Sequence, residues 1–267
     1  MKSHTIPFLF AAVLILTSCR TSREIRAYER RYGPKAPVPT VTALRSATPI
    51  RLDGVLDEDV WKKAPVYNMT EPVDIPAGPV ARSKFSMKWK DFFPGTVRFA
   101  CTDDTLYIAV TAKDGDIVQF DRNNQRPHWR SGDLIEVFLK SDKAPGFWEC
   151  YATPCGHRTT MRYIARGYCS DAMEAGLRDD FASAVKLDGT LNDRSDVDRG
   201  YTMEIAIPFK MAEALDGIPM TPDGGWKIFV GRYNYDWRYS FRQLSSFPVM
   251  AAPKFETYEY YSPIIFK

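Results

Sequence analysis

The stretch that most constrains the fold is Leu134-Ile135-Glu136-Val137-Phe138-Leu139. It follows a Ser131-Gly132-Asp133 turn signal, is short, and is rich in β-branched and aromatic residues. Ile135, Val137 and Leu139 share one face, and Leu134, Glu136 and Phe138 share the other. Both faces are apolar, so the segment reads as a buried central strand that must be covered on both sides. Glu136 is the exception. A carboxylate in such a strand is costly unless it meets a cation or a polar cavity. Trp129 lies in the loop just upstream, where an indole can cap a cavity or pack as rim. The two readings of Glu136 are therefore a buried ion pair with an arginine and the floor of a binding site.

The rest of the chain repeats the period of two. Leu106, Ile108 and Val110 fall on one face, as do Met203, Ile205 and Ile207, and later Ile228 and Val230. Turn signals separate these runs at Asp114-Gly115, Asp188-Gly189 and Pro222-Asp223-Gly224-Gly225. That is the pattern of an all-β sandwich or barrel. Only two short helices are predicted, at Asp57–Ala64 and Lys210–Leu215. There is no internal repeat, and the ~225 residues beyond the N-terminal segment suit one large β domain.

The N-terminus indicates export. Lys2 precedes an apolar run from Ile6 to Leu16, too short to span a bilayer as a helix and typical of a secretory signal. It ends in Leu16-Thr17-Ser18-Cys19, which resembles the lipobox of bacterial lipoproteins. The resemblance implies cleavage before Cys19, lipidation there, and a protein anchored to the cell envelope without spanning it, at the outer membrane or the periplasmic face. A spacer follows, holding Arg20, Arg23, Arg26, Arg30, Arg31 and Lys35 against Glu24 and Glu29, then Pro34, Pro37 and Pro39. The expected organisation is a signal over residues 1–18, a lipidated spacer over 19–45 and the β domain over 46–267. With the basic run set aside, the remainder is slightly acidic, which excludes a nucleic-acid-binding face.

Cys101, Cys150, Cys155 and Cys169 remain beyond Cys19. An even number in an exported chain suggests bridges, and at least one is expected within Cys150, Cys155 and Cys169. Cys150, Cys155, His157 and Cys169 are also candidate zinc ligands, but their spacing is irregular and the compartment oxidising.

Five segments in order resemble one family. Leu52-Asp53-Gly54-Val55-Leu56-Asp57-Glu58-Asp59-Val60-Trp61 is similar to the opening of carbohydrate-binding modules of family 9 and related DOMON-like sandwiches. Val97–Asp114 resembles that family's hairpin with an acidic turn, and Gly132–Leu139 its strand carrying a glutamate. Gly200–Phe209 resembles its strand ending in proline, and Gly225–Asn234 its penultimate strand. The resemblance implies an antiparallel β-sandwich that holds mono- or oligosaccharides, or polysaccharide ends, between aromatic rings and beside charged groups. Trp129 then takes the place of the sugar-stacking aromatic and Glu136 that of the strand carboxylate. Arg232 takes a polar contact, and Tyr151, on the same face as Glu149, stands where the family has a basic residue. Phe247 is the nearest candidate for a second aromatic. Trp129, Glu136 and Arg232 are expected to line one face, with Arg232 also able to pair with Glu136. The resemblance further implies a structural calcium, for which Asp103, Asp104, Asp114 and Asp116 are the acidic turn residues.

Two other classes are weighed against a binding module. Glu136, Glu149, Asp133 and Glu204 are available to a glycosidase, which needs two carboxylates facing one cleft. Some DOMON relatives hold haem, but His128 and His157 are the only histidines outside the signal, and no haem is expected. The expectation is a non-catalytic, membrane-anchored carbohydrate-binding domain in glycan catabolism, with a separate glycoside hydrolase as partner. The alternatives are a hydrolase of O-glycosyl bonds and a structural envelope lipoprotein.

Overall fold

A computed structural model describes residues 36–72, 91–166, 181–239, 241–251 and 253–267, with positions 27, 30, 33, 34, 168 and 169. The signal, Cys19 and most of the basic spacer lie outside the described residues.

The strands are β1 (Val41–Arg45), β2 (Tyr67–Met69), β3 (Gly95–Cys101), β4 (Thr105–Ala112), β5 (Leu134–Ser141), β6 (Phe147–Ala152), β7 (Arg158–Ala165), β8 (Tyr168–Cys169), β9 (Ala182–Asp188), β10 (Gly200–Pro208), β11 (Trp226–Asn234), β12 (Gln243–Phe247) and β13 (Ser262–Phe266). Helices α1 (Asp59–Lys63) and α2 (Phe209–Glu213) are both short and fall where the sequence places them. One sheet, sheet A, runs β9-β10-β4-β3-β1, with β2 also on β3. The other, sheet B, runs β8-β7-β6-β5-β11, with β12 on the far edge of β11. The C-terminal strand turns the corner between them. β13 pairs antiparallel with β11 through Ser262 and Pro263, then parallel with β1 through Ile264 to Phe266.

The inner faces of both sheets supply one core. Phe99, Ile108, Val110, Met203 and Ile205 from sheet A meet Ile135, Val137, Trp148, Ile228 and Val230 from sheet B, all of them buried. The chain is thus the antiparallel β-sandwich expected, with β5 buried along its whole length. The domain begins at Val41, inside the stretch read as spacer. Val41 and Ala43 alternate into the core, and β1 is paired on both edges, to β13 and β3.

The outer face of sheet A is closed by α1. Trp61 and Val60 pack with Ile50 on the small side chains Ala100 and Ala109. Glu204, mid-strand on β10, holds this cover in place. Its Oε2 accepts the N–H groups of Asp53 at 3.0 Å and Gly54 at 2.9 Å, and its Oε1 accepts the Trp61 indole N–H at 2.9 Å. Gly54 has φ +79, and a Cβ there would lie 2.5 Å from the backbone N of Lys186 on β9, so only glycine brings the turn this close to the sheet. The Asp53-Gly54 turn, Trp61 and Glu204, far apart in sequence, are therefore one structural device.

The expected disulfide is not made. Cys101 is a buried free thiol, and Cys155 is free, its sulfur near Thr153 Oγ1 and Asp121 O. Cys150 on β6 and Cys169 on β8 are separated by β7, an interval of ~10 Å at ordinary strand spacing and beyond the reach of a disulfide. A core of this size does not require a bridge.

Candidate functional site

The loop before β5 is fixed by two buried polar side chains and a tyrosine hydroxyl. His128 is fully buried, with Nε2 2.9 Å from Asn123 O and Nδ1 2.8 Å from Thr159 Oγ1. Asp133 accepts the Val118 N–H at 2.8 Å and the Tyr235 N–H at 2.6 Å. Gly132 makes this possible, since a Cβ there would fall 2.2 Å from Val118 O. The Tyr235 hydroxyl donates to the Trp129 carbonyl. Trp129 is thereby held, half-buried, at the margin of the outer face of sheet B. It packs there with a cluster formed by Leu134, Tyr151, Met161, Tyr163 and Tyr233.

Glu136 lies on that same outer face. Tyr151 is directly opposite it on β6 and Gly231 directly opposite on β11. Glu149, two residues before Tyr151, completes a carboxyl pair. The pair is almost closed off, at 3 % and 5 % exposure for Glu136 and Glu149. The Tyr151 hydroxyl donates to Glu149 Oε1, and Tyr163 also reaches Glu149. Oε2 of each carboxyl is buried without a hydrogen-bond partner. Burial pushes the Glu149 carboxyl up to about 7. It pushes Glu136 well above the carboxylate range, helped by the charge of Glu149. Two buried acids side by side do not both ionise near neutrality, so the pair carries at most one negative charge there.

Two further features complete the face. Gly231 leaves room for Phe255, whose ring a Cβ at 231 would meet at 2.6 Å. Phe255 packs against Phe229 and edge-on to Tyr233, with centroids 5.1 and 5.7 Å apart, and belongs to an apolar cover made with Met250, Tyr260 and Tyr261. Arg242, half-buried, lies 4.8 Å over the Tyr233 ring and 5.9 Å from Trp129, and its Nη1 donates to the Tyr235 hydroxyl at 3.2 Å.

Trp129, Glu136 and Tyr151 thus come together as expected. Arg232 and Phe247 do not join them. β11 sends Ile228, Val230 and Arg232 inward, so Arg232 faces away from Glu136 and its expected pairing is not made. Arg232 is instead fully buried, giving Nη1 to Phe93 O at 2.9 Å and Nη2 to Lys113 O at 2.6 Å and Asp114 Oδ2 at 3.1 Å. Phe247 is opposite Val230 and so also faces inward, where its ring packs 4.7 Å from Tyr67. The aromatic that the C-terminal segment brings to the outer face is Phe255. Glu149 was visible as a candidate carboxylate. Tyr233 was legible by parity with Phe229 and Gly231, whereas Arg242 had no local signal.

The acidic turn residues do not fit a calcium site. Asp103 pairs with Arg45, Asp104 accepts the hydroxyls of Thr102 and Thr105, Asp114 pairs with Arg232, and Asp116 accepts the Trp237 N–H. Among the described residues no group of three or more histidine, cysteine or acidic side chains is placed to hold a metal ion.

No protein-family model matches the sequence, and no curated protein matches it either. Solved structures do. A protein from Bacteroides uniformis ATCC 8492, assigned as carbohydrate-binding, superposes with a TM-score of 0.64 at 9% identity, covering 86% of this chain and 100% of its own. A family 9 carbohydrate-binding module from Caldicellulosiruptor kristjanssonii, solved with cellotriose, superposes with a TM-score of 0.51 at 15% identity, covering 85% of this chain and 93% of its own. The fold is that of the family 9 modules. In this family 9-like sandwich the acidic and aromatic face belongs to sheet B, while the matching face of sheet A is sealed by α1.

Proposed function

We propose that the chain is a carbohydrate-binding module whose site is the outer face of sheet B, with Trp129 as stacking surface and Glu136, Glu149 and Tyr151 as polar floor. The observation that carries this is the buried carboxyl pair with an unpartnered oxygen on each member, beside a half-exposed tryptophan held by a dedicated loop. Unpartnered buried acceptors are costly, and hydroxyl-rich ligands supply donors to them while their C–H faces lie on indole. The structural neighbours support the same reading, since one is described as carbohydrate-binding and the other was solved with cellotriose.

The carboxyl pair supports binding without cleavage. Glycosidases hold their two carboxyl groups ~5–5.5 Å or ~6.5–9.5 Å apart, so that a sugar carbon or a water fits between them. Glu136 and Glu149 are diagonal neighbours on adjacent strands and nearly closed to solvent, with no open cleft between them for a sugar ring.

The finer proposal is that Cys19 is lipidated and holds the module at the bacterial envelope, where it presents glycan to a separate glycoside hydrolase. The lipobox-like Leu16-Thr17-Ser18-Cys19 supports the anchor. A glycan array probed with the protein tests binding, and a chain that retains no glycan on it fails the proposal. Labelled palmitate should enter the wild type and not Cys19→Ala, and its absence from both removes the anchor.

A further inference from the structure

We infer that the face on sheet B selects sugars carrying a free amine, so that its ligand is a cationic amino-sugar glycan. This rests on the binding reading above and names its ligand class. The first observation is an exception. The other buried carboxylates have compensating donors: Glu204 has two backbone N–H groups and an indole, Asp133 two backbone N–H groups, Asp198 the N–H groups of Ile117 and Thr190, and Asp114 the Arg232 guanidinium. Glu136 and Glu149 have only each other and tyrosine hydroxyls, and Oε2 of each has no partner.

The second observation is the sign of the surroundings. Glu256 bears on both carboxyls as a third negative group, and among the described residues no lysine or arginine forms an ion pair with either. Arg242 on this face is engaged with Tyr233 and Tyr235, and Arg166 is paired with Glu259. Arg242 also shows that the aromatic wall accepts a cation, because ring faces attract positive charge.

These facts discriminate among sugars. A neutral hydroxyl can donate to one Oε2 but leaves the buried charge uncompensated. A uronate or sulfate would add negative charge to three carboxyl groups and be repelled. An ammonium brings one positive charge and three donors, enough to pair with the charge of the coupled acids and to occupy both free oxygens. The carboxyls are nearly closed off, so the ligand has to part the half-exposed rim of Trp129, Tyr163 and Tyr233, and a single amine projecting from the sugar ring is the group that reaches them. Rejection of the neutral analogue then comes from the unpaired charge it leaves behind.

The test is calorimetric titration of the whole protein at pH 7 and 0.3 M salt with three β-1,4 trisaccharides: glucosamine, N-acetylglucosamine and glucose. The glucosamine trimer should bind at least ten-fold more tightly than the other two. Its affinity should fall as pH is lowered from 7 to 5, where the pair becomes fully protonated. In the Glu136→Gln/Glu149→Gln double variant the amine preference should drop to about one-fold. Binding of neutral trimers with no amine preference would overturn this inference and leave carbohydrate binding standing. A preference that survives the double substitution would also overturn it. Binding of none of the three would remove both. The wild-type ratios decide the matter even if the double variant does not fold.

Discussion

Glu204 on β10 and Glu136 on β5 are both mid-strand carboxylates on the outer face of their sheets, and both are buried. Glu204 accepts three N–H groups from the turn and helix that cover sheet A. Glu136 faces another acid and keeps an oxygen without a partner. In sequence the two look alike, each a single acid in an apolar strand. What separates them is what the rest of the chain lays over them. Over Glu204 it lays a tight Asp-Gly turn and an indole, all donors. Over Glu136 and Glu149 it lays tyrosines, Phe255 and a further acid. Satisfied burial is how a fold is held, whereas two acids buried side by side without an N–H donor point to a ligand.

The comparison breaks first if charges on the structural side turn out not to matter. Arg232→Met removes the partner of Asp114 and leaves a fully buried carboxylate beside orphaned carbonyls. It should cost about 3–5 kcal/mol of stability, read by denaturant unfolding. Glycan affinity of the folded fraction should stay within two-fold, and a large affinity loss with unchanged stability would return Arg232 to the site. Glu204→Ala should cost about 3 kcal/mol, because it strips three donors of a charged acceptor. It too should leave affinity alone. A melt unchanged by Glu204→Ala would mean that α1 and the Asp53-Gly54 turn hold themselves on sheet A without it.

On the other side, Glu149 ties stability to pH. Its carboxyl stands at about 7 in the folded protein, above the ~4.3 of an unfolded glutamate. A raised carboxyl stabilises the fold while protonated, so its contribution is complete below the unfolded value and is lost as pH rises through about 7. The loss is on the order of 3–4 kcal/mol for this group. Wild type should therefore melt lower at pH 8 than at pH 5, and Glu149→Gln should flatten the difference. An identical pH slope in both proteins would show that the pair is not strained by burial.

The period of two made most of this architecture readable. The inward sets on β4, β10 and β11 stand where alternation puts them, and both short helices overlap the segments marked for them, although neither has a side-chain cap. The same alternation had already decided Arg232. Ile228 and Val230 face the core, and a residue two further on shares their side. The family resemblance overrode that parity by assigning Arg232 to the sugar. Phe247 failed for a related reason, since its side depends on its register against Val230, which lies on another strand. The pairing of Glu136 with Glu149 was not readable, because it rests on the β5–β6 register, and neither was the arrival of Arg242 from the loop after β11. The beginning of the domain was missed because β1 is a five-residue strand whose partners lie far along the chain.

The smallest effect should come from Trp129→Ala, which sharpens the comparison because it touches the candidate site without touching a charge. Trp129 is half-buried and its position is fixed by groups that the substitution keeps. Its carbonyl still accepts from Tyr235, His128 still bridges Asn123 and Thr159, and Asp133 still holds Val118 and Tyr235. The loop should therefore hold its course and the melt should move little. What is lost is indole area for a sugar face, worth about 1–2 kcal/mol, or roughly ten-fold in affinity. Trp129→Phe should recover part of that. If instead the alanine variant loses several kcal/mol of stability, the indole is packing for Leu134, Tyr151 and Met161 rather than a platform. The unpaired carboxyls would then have to find their ligand elsewhere on the face.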